Sequence, residues 1–296
     1  MDETWIGRTV GEVRIESLLG RGGMADVYLG KHRRLDRMVA IKILHKPIRS
    51  DPAVMRFFQA EADALTSMQH PNIVQCIDCN VVKGRPYIVM ELVHGITLHE
   101  RLAHLRRIGL LPPLHIIRQV LCSAAEALNH AHKLGIVHRD VKPANIMLLG
   151  SDRQLQADAP LPEDVQVVVA DFGLAQLAEG TSTLAGNPII GTPAYMSPEQ
   201  VAGDKADSRT DVYALGIVLY EMLSGRVPFR SPGKELTEIL YGHTHLTPPL
   251  VPNLATNIQR VVDRALAKDA SVRFSTAGEF AKTLETAIAR GTRIPD

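Results

Sequence analysis

Several things this sequence lacks narrow its class. It has three cysteines, an odd and low number that makes no disulfide framework, and a reducing cytoplasm suits them best. No uninterrupted apolar run approaches the roughly 18 residues that cross a bilayer, so no membrane span is expected within the chain. Met1-Asp2-Glu3-Thr4 is acidic and has neither the basic start nor the apolar core of a signal peptide. Charge of one sign is absent too. The 33 Lys and Arg nearly cancel the 32 Asp and Glu, leaving +1, which argues against nucleic acid or an anionic membrane as a general partner. The twelve histidines are scattered without ligand spacing, and no internal repeat is visible. Cys76-Ile77-Asp78-Cys79 is formally C-x-x-C, but it falls in a predicted strand, where residues three apart point to opposite faces. No second cysteine pair completes a zinc site.

What remains is a chain of 296 residues, 45% hydrophobic and 22% charged, the balance of a globular protein with one large domain or two lobes. The first ninety residues read as strands at 13–20, 26–31, 38–44, 73–79 and 86–91. One helix interrupts them, capped by Asp51-Pro52 and apolar at Val54, Phe58, Leu65 and Met68. Beyond Val93-His94-Gly95 the pattern is helical. Leu114 to Gly135 holds a long helix, and Thr210 is expected to cap a second at Asp211 to Leu223. A Thr276/Glu279 capping box starts the last. Ser151 to Asp164 reads as a surface loop.

The chemistry concentrates in His138-Arg139-Asp140-Val141-Lys142-Pro143-Ala144-Asn145. Asp140 can orient a hydroxyl and take its proton, Lys142 can steady a moving phosphoryl group, and Asn145 can offer an oxygen to a divalent ion. Asp171-Phe172-Gly173 adds a second metal-binding carboxylate. Upstream, Gly20-Arg21-Gly22-Gly23-Met24-Ala25-Asp26-Val27 sits between strands, where small residues let backbone amides approach phosphate. Lys42 lies in an otherwise apolar strand and is costly there unless paired. Phosphate and a carboxylate would satisfy it. Glu61 is the best candidate carboxylate and Asp63 its rival, roughly 200° away around the helix.

The glycine loop, Val39-Ala40-Ile41-Lys42, the His-Arg-Asp segment, Asp-Phe-Gly and Ser197-Pro198-Glu199 occur in that order. Over about residues 10 to 285 the chain resembles the eukaryotic-type Ser/Thr protein kinases, most of all their bacterial members. The resemblance implies an α+β, two-lobed fold. A small antiparallel-sheet lobe (13–91) leads through a hinge (91–95) to a larger helical lobe (96–285), flanked by an extension (1–12) and a tail (286–296). It implies ATP held by Gly20, Gly22, Gly23, Val27, Ala40, Lys42 and Met147, with Met90 as gatekeeper and the backbone of Glu91 and Val93 on adenine. Mg2+, or Mn2+ in its place, would sit on Asn145 and Asp171. Asp140 would be the base, with Lys142, Lys42 and Glu61 beside it in the catalytic set. Thr192 would bond Asp140 and Lys142, Glu199 would pair with Arg273, and Asp211 would tie down the catalytic loop.

Protein substrates are implied, with acceptor specificity for Ser and Thr because Lys142 stands two residues past the base. A homodimer for autophosphorylation is a habit of the family. Thr181, Ser182 and Thr183 are the candidate phosphosites, which Arg139 could bind. Two departures stand out. Ala25 replaces the third loop glycine, and Gln176 stands where many relatives carry a basic residue. Two rival readings stay open at this point. A pseudokinase would lack Lys42, Asp140, Asn145 or Asp171, and a small-molecule phosphotransferase would lack Gly191-Thr192 and Ser197-Pro198-Glu199.

Overall fold

A computed structural model describes residues 5–23, 25–45, 52–150, 161–162, 165–172, 193–229 and 235–291. The Asp51 cap, Met24, most of the 151–164 loop, Gly173, Gln176, Thr181–Thr183 and Gly191-Thr192 lie outside those residues. The chain divides into two compact units, one ending at His94 and the other taking the described residues from Gly95 onward. The fold is α+β.

The first unit is a six-stranded antiparallel sheet in the order β1-β2-β3-β4-β6-β5. Its strands are β1 (Thr9–Val10), β2 (Val13–Arg21), β3 (Ala25–His32), β4 (Arg37–Leu44), β5 (Cys76–Val82) and β6 (Arg85–Glu91). Residues directly opposite one another point to the same side. Tyr28, Ile41 and Val89 form one such row, and with Trp5, Val13, Ile15 and Val39 they make the core of one sheet face. Residues 5–12, ahead of the expected domain start, thus contribute to this core through Trp5 and Val10. Helix α1 (Pro52–Ser67) packs against β5 and buries Phe58, Ala62 and Leu65, which share one stripe.

Two strand details depart from expectation. The strand predicted at 73–79 begins at Cys76, and a register shift follows between Cys76 and Asp78. That bulge adds a residue, so Cys76 opposes Met90 and Cys79 opposes Ile88, on one face rather than two. Burial, then the Asp78 charge, pushes the Cys76 thiol up to about 12. Burial raises Cys79 as well, so neither offers a reactive thiolate.

The second unit holds a three-stranded antiparallel sheet of β7 (Gly95–Thr97), β8 (Ile146–Leu149) and β9 (Gln166–Val169). Its helices are α2 (Leu98–Arg107), α3 (Leu114–Lys133), α4 (Pro198–Ala202), α5 (Ser208–Ser224), α6 (Leu236–His245), α7 (Thr256–Ala265) and α8 (Ala277–Gly291). Helix α5 is buried on every side from Thr210 to Leu223 and forms the centre of this unit, contacting α3, α7 and α8. Its cap is Asp207 rather than Thr210. The Asp207 carboxylate accepts from the Arg209 N–H at 2.8 Å, while the Thr210 hydroxyl turns to Glu199. At α8, Thr276 accepts from the Glu279 N–H as expected, but the Glu279 carboxylate reaches Ser275 N–H instead of closing the box on Thr276.

Candidate active site

In the second unit the residues 138–145 are held by a buried acid from α5. Asp211 is 0% exposed, and its carboxylate accepts the backbone N–H of His138 at 2.8 Å and of Arg139 at 2.8 Å. His132, from the end of α3, approaches the same carboxylate at 2.7 Å. These partners compensate a charge that burial alone would make costly. They also hold Arg139 at φ 64, a left-handed conformation that side chains resist. From α4, Gln200 donates to the Arg139 carbonyl at 2.7 Å, so the loop is clamped on both sides of Arg139.

His138 is fully buried, and its tautomer follows from its neighbours. Nδ1 accepts from the Asp140 N–H at 3.2 Å, so Nε2 carries the proton and donates to the Ala170 carbonyl at 2.9 Å. Its ring lies 4.6 Å from that of Phe172. The Ala170 N–H donates to the Asn145 carbonyl at 2.9 Å. Asp171, at φ 67, therefore follows a residue tied to both His138 and Asn145.

The polar side chains meet on one oxygen. Lys142 Nζ donates to Asp140 Oδ2 at 2.6 Å, and Asn145 Nδ2 donates to the same oxygen at 3.3 Å and to the Asp140 carbonyl at 2.8 Å. Asp140 Oδ1 makes no hydrogen bond among the described residues. Because Asn145 uses its amide nitrogen on Asp140, its amide oxygen is left as a hard ligand. That amide oxygen and the Asp171 carboxylate are both hard donors of the kind that Mg2+ and other oxygen-seeking cations take. Met147 lies on β8, opposite Thr97 and Val168.

In the first unit Val27, Ala40, Lys42 and Met90 share the sheet face opposite the core. Val27, Lys42 and Ile88 form one cross-strand row, and Leu29, Ala40 and Met90 form the next on that side. Glu61 is half-buried on α1, whereas its rival Asp63 is exposed and accepts from Gln59 at 2.9 Å. Glu91 uses its N–H on the Gln75 carbonyl at 3.0 Å and its carboxylate on the Gln75 N–H at 2.9 Å. Val93 follows, half-buried, just ahead of the unit boundary. A Cβ added at Gly20 or Gly23 would meet nothing, and at Gly22 only the Ala25 carbonyl at 3.1 Å. The fold's own packing therefore does not require glycine at 20 and 23, and a closely approaching ligand would.

The Glu199–Arg273 pair is present in full. Nη1 reaches Oε1 at 2.8 Å and Nη2 reaches Oε2 at 2.9 Å. Arg273 is 2% exposed, and its remaining N–H groups go to the carbonyls of Ala267, Lys268 and Arg209, so all five donors are used. Burial would by itself raise the Glu199 carboxyl. Arg273 and the Thr210 hydroxyl outweigh it and hold the group below its usual 4.5. Three contributors escaped the sequence reading: His138 as a tie to Ala170, His132 on Asp211, and Gln200 on Arg139. Of these, only Gln200 left a local trace, as the N3 partner of Ser197 in a capping box.

Residues 13–284 match the protein kinase domain family. The chain is 37% identical over 295 residues to the serine/threonine-protein kinase Pkn1 of Myxococcus xanthus, covering 98% of this chain and 40% of that protein. It is 38% identical to the serine/threonine-protein kinase PknB of Mycobacterium leprae, covering 89% and 41%, and 36% identical to PrkC of Bacillus subtilis, covering 95% and 41%. It thus spans about 40% of the length of these relatives. Among solved structures, the kinase domain of PknI from Mycobacterium tuberculosis superimposes with a TM-score of 0.70 at 28% identity, covering 95% of this chain and 98% of that one.

Proposed function

We infer that this chain, which belongs to the protein kinase family, is a serine/threonine protein kinase domain that moves the terminal phosphoryl group of ATP onto protein hydroxyls. The observation that carries the reading is the Asp140 carboxylate. One oxygen is fixed by Lys142 and Asn145, the other has no partner among the described residues, and the loop bearing it is pinned by Asp211. In this reading Oδ1 orients the Ser or Thr hydroxyl and receives its proton as the phosphoryl group arrives. Lys142 keeps positive charge beside that transfer. Asn145 and Asp171 would hold Mg2+, or Mn2+ in its place, since both take carboxylate and amide oxygens; the ion would supply charge neutralisation on the phosphates.

From the first unit, Lys42 would steady the phosphates, with Glu61 as its carboxylate. The amides around Gly20, Gly22 and Gly23 would bind phosphate oxygens. Val27, Ala40, Met90 and Met147 would each contact the adenine ring, and Glu91 and Val93 its polar edge. Thr181, Ser182 and Thr183 would be autophosphorylated, with a second copy of the chain as the enzyme. A reducing, cytoplasmic setting suits the three free cysteines. No helix among the described residues is long and apolar enough to cross a membrane.

The test is incubation with labelled Mg-ATP and a generic protein acceptor, followed by phosphosite mapping. Label is expected on Ser and Thr and not on Tyr. Asp140→Asn is expected to lower the rate about 10²- to 10⁴-fold while nucleotide binding persists. A wild-type rate from that variant would remove Asp140 from its role, and no modification at 181–183 in active protein would end the phosphosite assignment.

A further inference from the structure

A groove of about 440 Å³ runs between α7 and α8 in the second unit, and four cations line it. Arg260 and Arg264 stand one turn apart on α7, and Lys282 and Arg290 stand two turns apart on α8. Among the described residues Arg264 alone of the four has an acid partner, Glu279 at 2.7 Å. Arg260, Lys282 and Arg290 are exposed and form no ion pair among the described residues. A chain with a net charge of +1 thus gathers a local excess of three positive charges in one groove. Like charges at i and i+4 repel, so the helix itself gains nothing from Arg260 beside Arg264.

The groove also has a rigid point. The Arg264 guanidinium lies 4.2 Å from the centre of the Phe274 ring, its Nη2 meets Glu279 at 2.7 Å and its Nε donates to the Val272 carbonyl at 3.4 Å. A guanidinium fixed in this way keeps Nη1, which has no partner among the described residues, in a set position to donate to a phosphate oxygen. The length of the groove selects the kind of ligand. Helix α7 has 10 residues, about 15 Å, which matches four to five residues of extended peptide at about 3.3 Å each. A lone phosphate ion would meet only the Arg260 and Arg264 end, leaving Lys282 and Arg290 to contact flanking residues.

We propose that this groove recognises a phosphorylated Ser or Thr segment of a partner protein, with the phosphate between Arg260 and Arg264. The choice of phosphorylated Ser or Thr rests on the kinase reading, since such segments are what that activity makes. The binding assay needs no catalysis, so either idea can fail without the other.

The experiment uses a fluorescein-labelled nonapeptide with a central phosphothreonine and two glutamates on each side, beside the same peptide with threonine. Anisotropy is read on the wild-type chain, on Arg260→Glu with Lys282→Glu, and on Arg14→Glu as a control in the first unit. The phosphopeptide is expected to bind about tenfold more tightly than its unphosphorylated form and to lose at least that factor in the double variant. The control should hold its affinity, and phosphoryl transfer to a generic acceptor should be unchanged in every variant. If the reversed pair does not fold, Arg260→Gln with Lys282→Gln takes its place and should show the same loss. Equal affinity for both peptides, undiminished binding by the double variant, or phosphatidylserine vesicles displacing the phosphopeptide would each overturn the proposal.

Discussion

Lys42 shows what a single side chain can disclose. Its neighbours in β4 are apolar, and its row across the sheet is Val27 and Ile88, so a charge there needs a dedicated reason. Lys42→Met is therefore expected to slow phosphoryl transfer by about 10²-fold while the melting temperature changes little. Parallel kinetics and thermal melts check this, and a wild-type rate would contradict the assigned role. Asp140, Lys142 and Asn145 were equally legible, because the chemistry needs them within a few residues of one another. His138 was not. Its value lies in accepting from Asp140 and donating to Ala170, 32 residues away, and no local pattern announces a partner at that distance.

At the scale of elements, periodicity placed the strands and most helices, and errors came where an element is started or disturbed by something non-local. Thr210 was a plausible cap, but Glu199 claims its hydroxyl and Asp207 starts α5 instead. A regular strand would turn Cys76 and Cys79 to opposite faces, whereas the bulge turns both to one side. The joint between α4 and the segment after α7 is the element-scale feature that most deserves a test of energy. Glu199→Gln would leave the Arg273 charge buried without its counterion, at an expected cost of about 3 kcal/mol in chemical denaturation. The Glu199 carboxyl is depressed in the fold, so its contribution is present above pH 4.5 and fades as the pH falls below it. The variant should lose that acid-side dependence.

Over the whole molecule, stability should also respond to a second buried group. His243 is fully buried against Tyr213 and Phe229, and burial, then the nearby Lys268 charge, lowers it from 6.5 to about 4. The unfolded chain thus binds a proton that the folded one refuses between pH 6.5 and about 4. Unfolding free energy should fall with pH through that window, by up to about 3 kcal/mol. Melts at pH 7, 6 and 5 on wild type and His243→Phe check this; an equal slope in both would assign the effect to other groups. The overall class was legible because the motifs are spaced along nearly the full length and in one order. The groove between α7 and α8 was not, because its cations come from two helices whose packing no single stretch encodes. With every N–H engaged and almost no accessible area, Arg273 is shielded from phenylglyoxal until its surroundings open. Adduct formation at that one position, followed by peptide mass spectrometry, would therefore act as a chemical clock for breathing motions around α5.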